Sequence, residues 1–218
     1  MRLASSTSIL KSTWRFFRGR WSSSWIRNPP LSAPRQVPTP LLFVSAKVWD
    51  ADSYNGVSAL ITALSAKGFA CLHCDLSTAP QLHLNSTEIM SHFVSTLKSL
   101  GADSGILAFP PVIFARSSAA IIAQAYISSN PATALVLTGN IPAVNADVPE
   151  NLLPTPLEEF NFEPKFPIAL VTTPHEMERL RKTNRLAQDP TVDLLTTEDL
   201  ASQDAFLKIE GWLDDLGI

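Results

Sequence analysis

The chain predicts an α/β fold: a mostly parallel central sheet with helices on both faces, a three-layer sandwich. Three observations carry this. Short apolar runs alternate with segments of helical period from residue 41 to the end. The runs are apolar at successive positions rather than at every second one, as strands buried on both faces require. Most helical segments close on a Gly or an Asn-Pro before the next run begins.

Taken in order, Leu41-Leu42-Phe43-Val44-Ser45 is the first buried strand. Residues 52–67 follow as a helix with Val57, Leu60, Ile61 and Leu64 on one face, and Gly68 caps it. Residues 69–76 form the second strand. A helix over 87–100 carries Ile89, Phe93, Val94, Leu97 and Leu100 as its stripe and stops at Gly101. After Pro110-Pro111, a strand over 112–115 leads into a helix over 118–129, which Asn130-Pro131 ends. Strands over 134–138, 167–172 and 192–195 and helices over 176–187 and 205–216 complete the series. Residues 140–165 are rich in Pro and acids and show no period.

Residues 1–35 read differently. They hold seven basic residues, many Ser and Thr, interleaved apolar side chains, and no Asp or Glu. An Arg-rich, Ser-rich, acid-free amphipathic leader is the composition of a mitochondrial transit peptide, with cleavage after Trp21 or near Arg27. A cationic amphipathic helix binds an anionic membrane surface and is drawn inward by a negative potential. Pro29, Pro30, Pro34, Pro38 and Pro40 then read as an extended linker. The expected organisation is a leader and linker start over 1–35 and one domain over 36–218, located in the mitochondrial matrix.

Without the leader, 10 basic residues face 20 acidic ones, a net charge of −10. That excludes nucleic acid as a natural partner, since phosphate neutralisation needs clustered Lys and Arg. No apolar stretch approaches the roughly 20 residues needed to span a bilayer. The two cysteines, Cys71 and Cys74, form a lone Cys-x-x-Cys within a strand. A structural zinc site needs four ligands, so no metal is expected. Positions three apart on a strand point to opposite faces, so a redox pair is not expected either. No Gly-x-Gly-x-x-Gly turn is present, and no cofactor is expected.

One segment carries chemistry. Val112-Ile113-Phe114-Ala115-Arg116-Ser117-Ser118-Ala119 runs from a strand through small-x-Ser-x-small into a helix. This is the layout of a nucleophile elbow, with Ala115 and Ala119 where glycines usually stand. The competing reading makes Ser117 or Ser118 an ordinary helix N-cap.

On these residues the chain resembles the α/β-hydrolase fold superfamily, as a small, degenerate member covering about 40–218. Leu41 to Ala46 is similar to the strand that ends in His-Gly in that family. Phe69 to Leu76 is similar to the strand ending in Asp-Leu or Asp-Met, and Pro167 to Thr172 to the strand before the acid. The resemblance implies Ser117 as nucleophile. It implies an oxyanion hole from the backbone N–H of Ser118 and of Ala46 or Lys47. The chain order Ser, acid, His leaves Glu176 as a loose acid, and no His follows the last strand, so His175 is the one relocated base on offer. His73, His83 and His92 precede the elbow. The short insert after the strand at 134–138 implies no helical lid.

Two functions stay open. In the first, the chain lacks a complete triad and is a pseudoenzyme, a binding or assembly component with a protein partner. In the second, it is an active serine hydrolase on a small ester or thioester, with Ser117 as nucleophile and His175 as base.

Overall fold

The computed structural model describes the backbone of residues 16–18 and residues 22–77, 85–143 and 152–218. Its centre is one eight-stranded sheet in the order β1-β2-β4-β3-β5-β6-β7-β8. The strands are β1 (Phe16–Arg18), β2 (Ser23–Arg27), β3 (Val37–Ser45), β4 (Phe69–Asp75), β5 (Val112–Arg116), β6 (Ala134–Thr138), β7 (Ile168–Thr172) and β8 (Asp193–Thr196). From β4 through β8 every pairing is parallel; β1 and β2 join antiparallel at the edge. The mostly parallel sandwich expected from the sequence is therefore present.

Period-2 alternation sorts each strand between two cores. On one side lie Leu72 and Cys74, Ile113 and Ala115, Leu135 and Leu137. On the other lie Phe69 and Cys71, Val112 and Phe114, Ala134 and Val136. Both sets are fully or nearly fully buried, which is why the strands read as unbroken apolar runs. The helices α2 (Ser86–Ser104), α3 (Ala119–Ile127), α4 (Pro174–Thr183) and α5 (Arg185–Gln188) cover the first face. The helices α1 (Val57–Ala66) and α6 (Gln203–Asp215) cover the second.

Cys71 and Cys74 are free, buried and assigned to opposite cores. Burial pushes the Cys71 thiol up to about 12, with Arg27 opposing the shift, and pushes Cys74 up as well. Neither is a thiolate at neutral pH, so both act as small hydrophobes.

Four elements depart from the sequence reading. The sheet begins before residue 36: β2 pairs with β4 through Trp25 opposite His73 and Ile26 opposite Leu72. The domain boundary at 36 is thus too late, and the segment near Arg27 is part of the fold. The helix expected over 52–67 is a 3₁₀ turn (Ala51–Tyr54) and α1, interrupted at Asn55-Gly56. The helix expected to stop at Gly101 runs to Ser104, because Leu107 packs directly on Gly101 and Gly105 supplies the left-handed cap. The helix expected over 176–187 is two helices broken at Asn184, whose side chain caps the second.

Among the described residues of the segment between β6 and β7 there is no helix, and residues 144–151 of it lie outside the described residues. Among the described residues, no helix is long and apolar enough to cross a membrane. No cluster of His, Cys, Asp or Glu among them is placed to hold a metal.

Candidate active site

Ser117 has φ 53° and is the one non-glycine with positive φ among the described residues. An L-residue in the left-handed region stores strain and persists only where its surroundings fix it. Here Ser117 N–H donates to Thr138 O at 3.1 Å, and Ala120 N–H donates to Ser117 O at 3.0 Å. These bonds tie the turn to β6 below and to α3 above. The N-cap position of α3 is Ser118, whose hydroxyl makes no capping bond. The strained strand-to-helix turn, and not helix capping, accounts for Ser117.

The hydroxyl itself has no hydrogen-bond partner among the described residues. His175 is exposed at the start of α4 and makes no hydrogen bond to Ser117. Its strand, β7, is two strands from β5, a backbone separation of about 10 Å. Glu176 is engaged elsewhere: Arg179 Nε donates to both carboxylate oxygens, at 3.1 and 2.9 Å. Arg179 also donates to Asn140 and to Ile141 O, so the pair staples α4 to the loop after β6. His92 is half-buried on α2, bonded to Ser77 O at 3.3 Å, and His83 lies outside the described residues.

The backbone donors expected to form an oxyanion hole are all occupied. Ser118 N–H donates to Asp50 Oδ2 at 2.9 Å. Ala46 N–H donates to Ser53 Oγ at 2.9 Å, and Lys47 N–H to Asp75 Oδ1 at 2.9 Å. Asp50 is held in place because its other oxygen caps the 3₁₀ turn, accepting from Asp52 N–H at 3.0 Å. A carboxylate therefore sits on the donor that a tetrahedral intermediate would need, and its charge opposes the charge that would develop there. Asp50 is 68 residues from Ser118 in sequence, so no local pattern announced the contact.

A second serine, histidine and aspartate meet nearby. Ser45 Oγ lies 2.8 Å from His73 Nε2 and donates to Asp75 Oδ1 at 2.9 Å. The single hydroxyl proton goes to Asp75, so His73 is assigned as the Nε2–H tautomer donating to Ser45. The order is wrong for catalysis: the carboxylate bonds the serine instead of orienting the imidazole. Ser45 is also fully buried. His73 packs edge-on against Trp25 at 5.2 Å and near Tyr54 at 5.5 Å, and its Nδ1 has no partner. Burial lowers its pKa to about 4, with Asp75 opposing the shift. It is a neutral core histidine.

Beside the elbow, at the carboxyl ends of β3, β5, β6 and β7, lies a cavity of about 300 Å³. Its apolar walls include Phe43, Leu60, Phe114 and Ile209, and Arg116 and Thr138 supply polar groups. In open α/β sheets this edge is where ligands bind. Glu198 and Asp199, in the segment where the family's histidine is expected, line its outer side.

Comparison with solved structures identifies the architecture. A thermophilic esterase from the Planctomycetes species Thermogutta terrifontis superposes with TM-score 0.66 at 12% identity, over 99% of this chain and 96% of that one. A mutant of the N-acyl homoserine lactonase AidH, bound to N-hexanoyl homoserine lactone, gives 0.64 at 11%, over 94% and 97%. A sugar hydrolase from Lactococcus lactis gives 0.56 at 11%, over 94% and 98%. The chain has the α/β-hydrolase fold. No protein-family profile matches it, and no curated protein does.

Proposed function

We propose that this chain is a non-catalytic α/β-hydrolase-fold protein, without a working Ser–acid–His triad, that acts by binding. One observation carries the reading: the Asp50 carboxylate on the Ser118 N–H. The partnerless Ser117 hydroxyl and the commitment of Glu176 to Arg179 add to it. A serine without a base is a weak nucleophile, and a blocked oxyanion hole removes the largest single source of acceleration.

The test is fluorophosphonate labelling of the full chain beside Ser117→Ala. The expected result is no labelling that distinguishes the two. Labelling abolished by the substitution overturns the reading.

The second reading, a serine hydrolase acting on a small ester or thioester, draws support from one feature. The elbow keeps its positive-φ serine although both flanking glycines are alanines. The solved neighbours named as an esterase and a lactonase point the same way.

We also propose mitochondrial targeting, supported by the acid-free, Arg-rich composition ahead of β2. Uptake of the labelled chain by isolated energised mitochondria, lost when residues 1–21 are deleted, is the expected result. Equal protease sensitivity of both forms overturns it.

A further inference from the structure

We propose that the cavity beside the elbow binds a small monocarboxylate with an apolar tail, its head group held by Arg116. This goes beyond the non-catalytic reading: neither Ser117 nor Ser118 is among the residues that line the cavity, so its occupancy and hydrolysis at the elbow are separate questions.

The side chain of Arg116 leaves the last residue of β5 and enters the cavity. Its Nε is buried and has no hydrogen-bond partner, and its guanidinium forms no ion pair with a described residue. That nitrogen is enclosed against Gly139, so an acceptor in the cavity is met by the two terminal guanidinium nitrogens, which make no hydrogen bond to a described residue. Gly139 makes the placement possible. A Cβ there would stand 3.3 Å from Arg116 Cγ and 3.5 Å from its Nε and Cζ, so any larger residue would crowd the guanidinium stem.

The planar guanidinium fork matches a carboxylate bidentately. The remaining walls set the rest of the ligand. Phe43, Leu60, Phe114, Leu200 and Ile209 offer apolar surface but no further cation. Glu198 and Asp199 line the outer side, and both are exposed. Their charge penalises a dianion such as a phosphate monoester more than a singly charged head. The volume sits at the low end for small-molecule sites, which limits the tail to a short or medium chain.

The experiment is titration calorimetry of the full chain at neutral pH with butanoate, hexanoate, octanoate and octanamide. Affinity is expected to rise about fourfold per methylene until the cavity is full. Octanoate is expected to bind at least tenfold tighter than octanamide. Arg116→Met abolishes that preference, and Arg116→Lys keeps part of it. Glu198→Gln, at an exposed position that leaves the core untouched, tightens octanoate and leaves octanamide unchanged. Equal binding of acid and amide overturns the proposal, and so does binding of octanoate that is indifferent to Arg116→Met and Glu198→Gln. Failure of octanoate to bind, with Glu198 closed onto Arg116 instead, overturns it too. Hydrolysis of p-nitrophenyl octanoate that depends on Ser117 would defeat the non-catalytic reading but leave octanoate binding standing. Absent binding with absent hydrolysis does the reverse.

Discussion

Lowering the pH from 7 to 4 is expected to cost the fold about 3 kcal/mol through one side chain, His73. Burial holds this imidazole neutral, with a folded pKa of about 4 against the ordinary 6.5. Between those values the unfolded chain binds a proton that the native chain refuses, so stability rises with pH across that window. The contribution is whole above 6.5 and is lost as the pH falls towards 4. A tenfold change in proton affinity is worth about 1.4 kcal/mol, and the gap between the two states spans more than two such factors. Carboxylates add their own acid sensitivity, so the comparison must be with His73→Phe. Phe keeps a ring against Trp25 and Tyr54 and leaves the Ser45–Asp75 bond in place. Urea unfolding at pH 7 and pH 4.5 should show a smaller drop in the variant. Equal drops in the two proteins would show that His73 is not held neutral.

Gly68→Ala is expected to destabilise the fold by about 3–5 kcal/mol, among the largest effects a single methyl group produces. Gly68 links α1 to β4 with φ 110°, outside the range that side chains tolerate. A Cβ at this position would lie 2.1 Å from the carbonyl oxygen of Arg35, a backbone atom that cannot turn aside. The same carbonyl belongs to the segment that leads into β3, where Val37 N–H donates to Gly68 O at 3.0 Å. The methyl group therefore pushes β3 and β4 apart at their start. Thermal unfolding should move down by about 10 °C or more. Gly211→Ala is the matched control: its Cβ would meet nothing within 4 Å on α6. It should be neutral or stabilising by up to about 1 kcal/mol. A Gly68→Ala protein as stable as its parent would mean that the Arg35 segment yields.

The parallel strands from β3 to β7 were legible because burial on both faces leaves an unbroken apolar run, as in Ala134 to Thr138. Strand β2 was not. Its buried residues are Ser24 and Ile26, too slight a signal against the surrounding arginines. The break at Asn55-Gly56 was written in the sequence as a turn dipeptide but lost to the helical spacing around it. Ser117 was legible because an elbow is local: strand, turn and helix follow one another without a gap along the chain. The state of its oxyanion donors was not, because Asp50, Ser53 and Asp75 reach them from other elements. The place of Arg116 at the cavity was not legible, because Gly139 and the segment around Glu198 reach the end of β5 from far along the chain.

The antiparallel edge has a consequence for any shortening of the polypeptide from its start. Ser23 to Arg27 occupy the outer flank of β4 from Cys71 to Asp75. Trimming the chain at its proline-rich segment strips that flank and uncovers a seam of unmated amides beside Trp25's former seat. Such a seam invites the strands of other molecules. Shortening that keeps β4 covered therefore stops before Ser23.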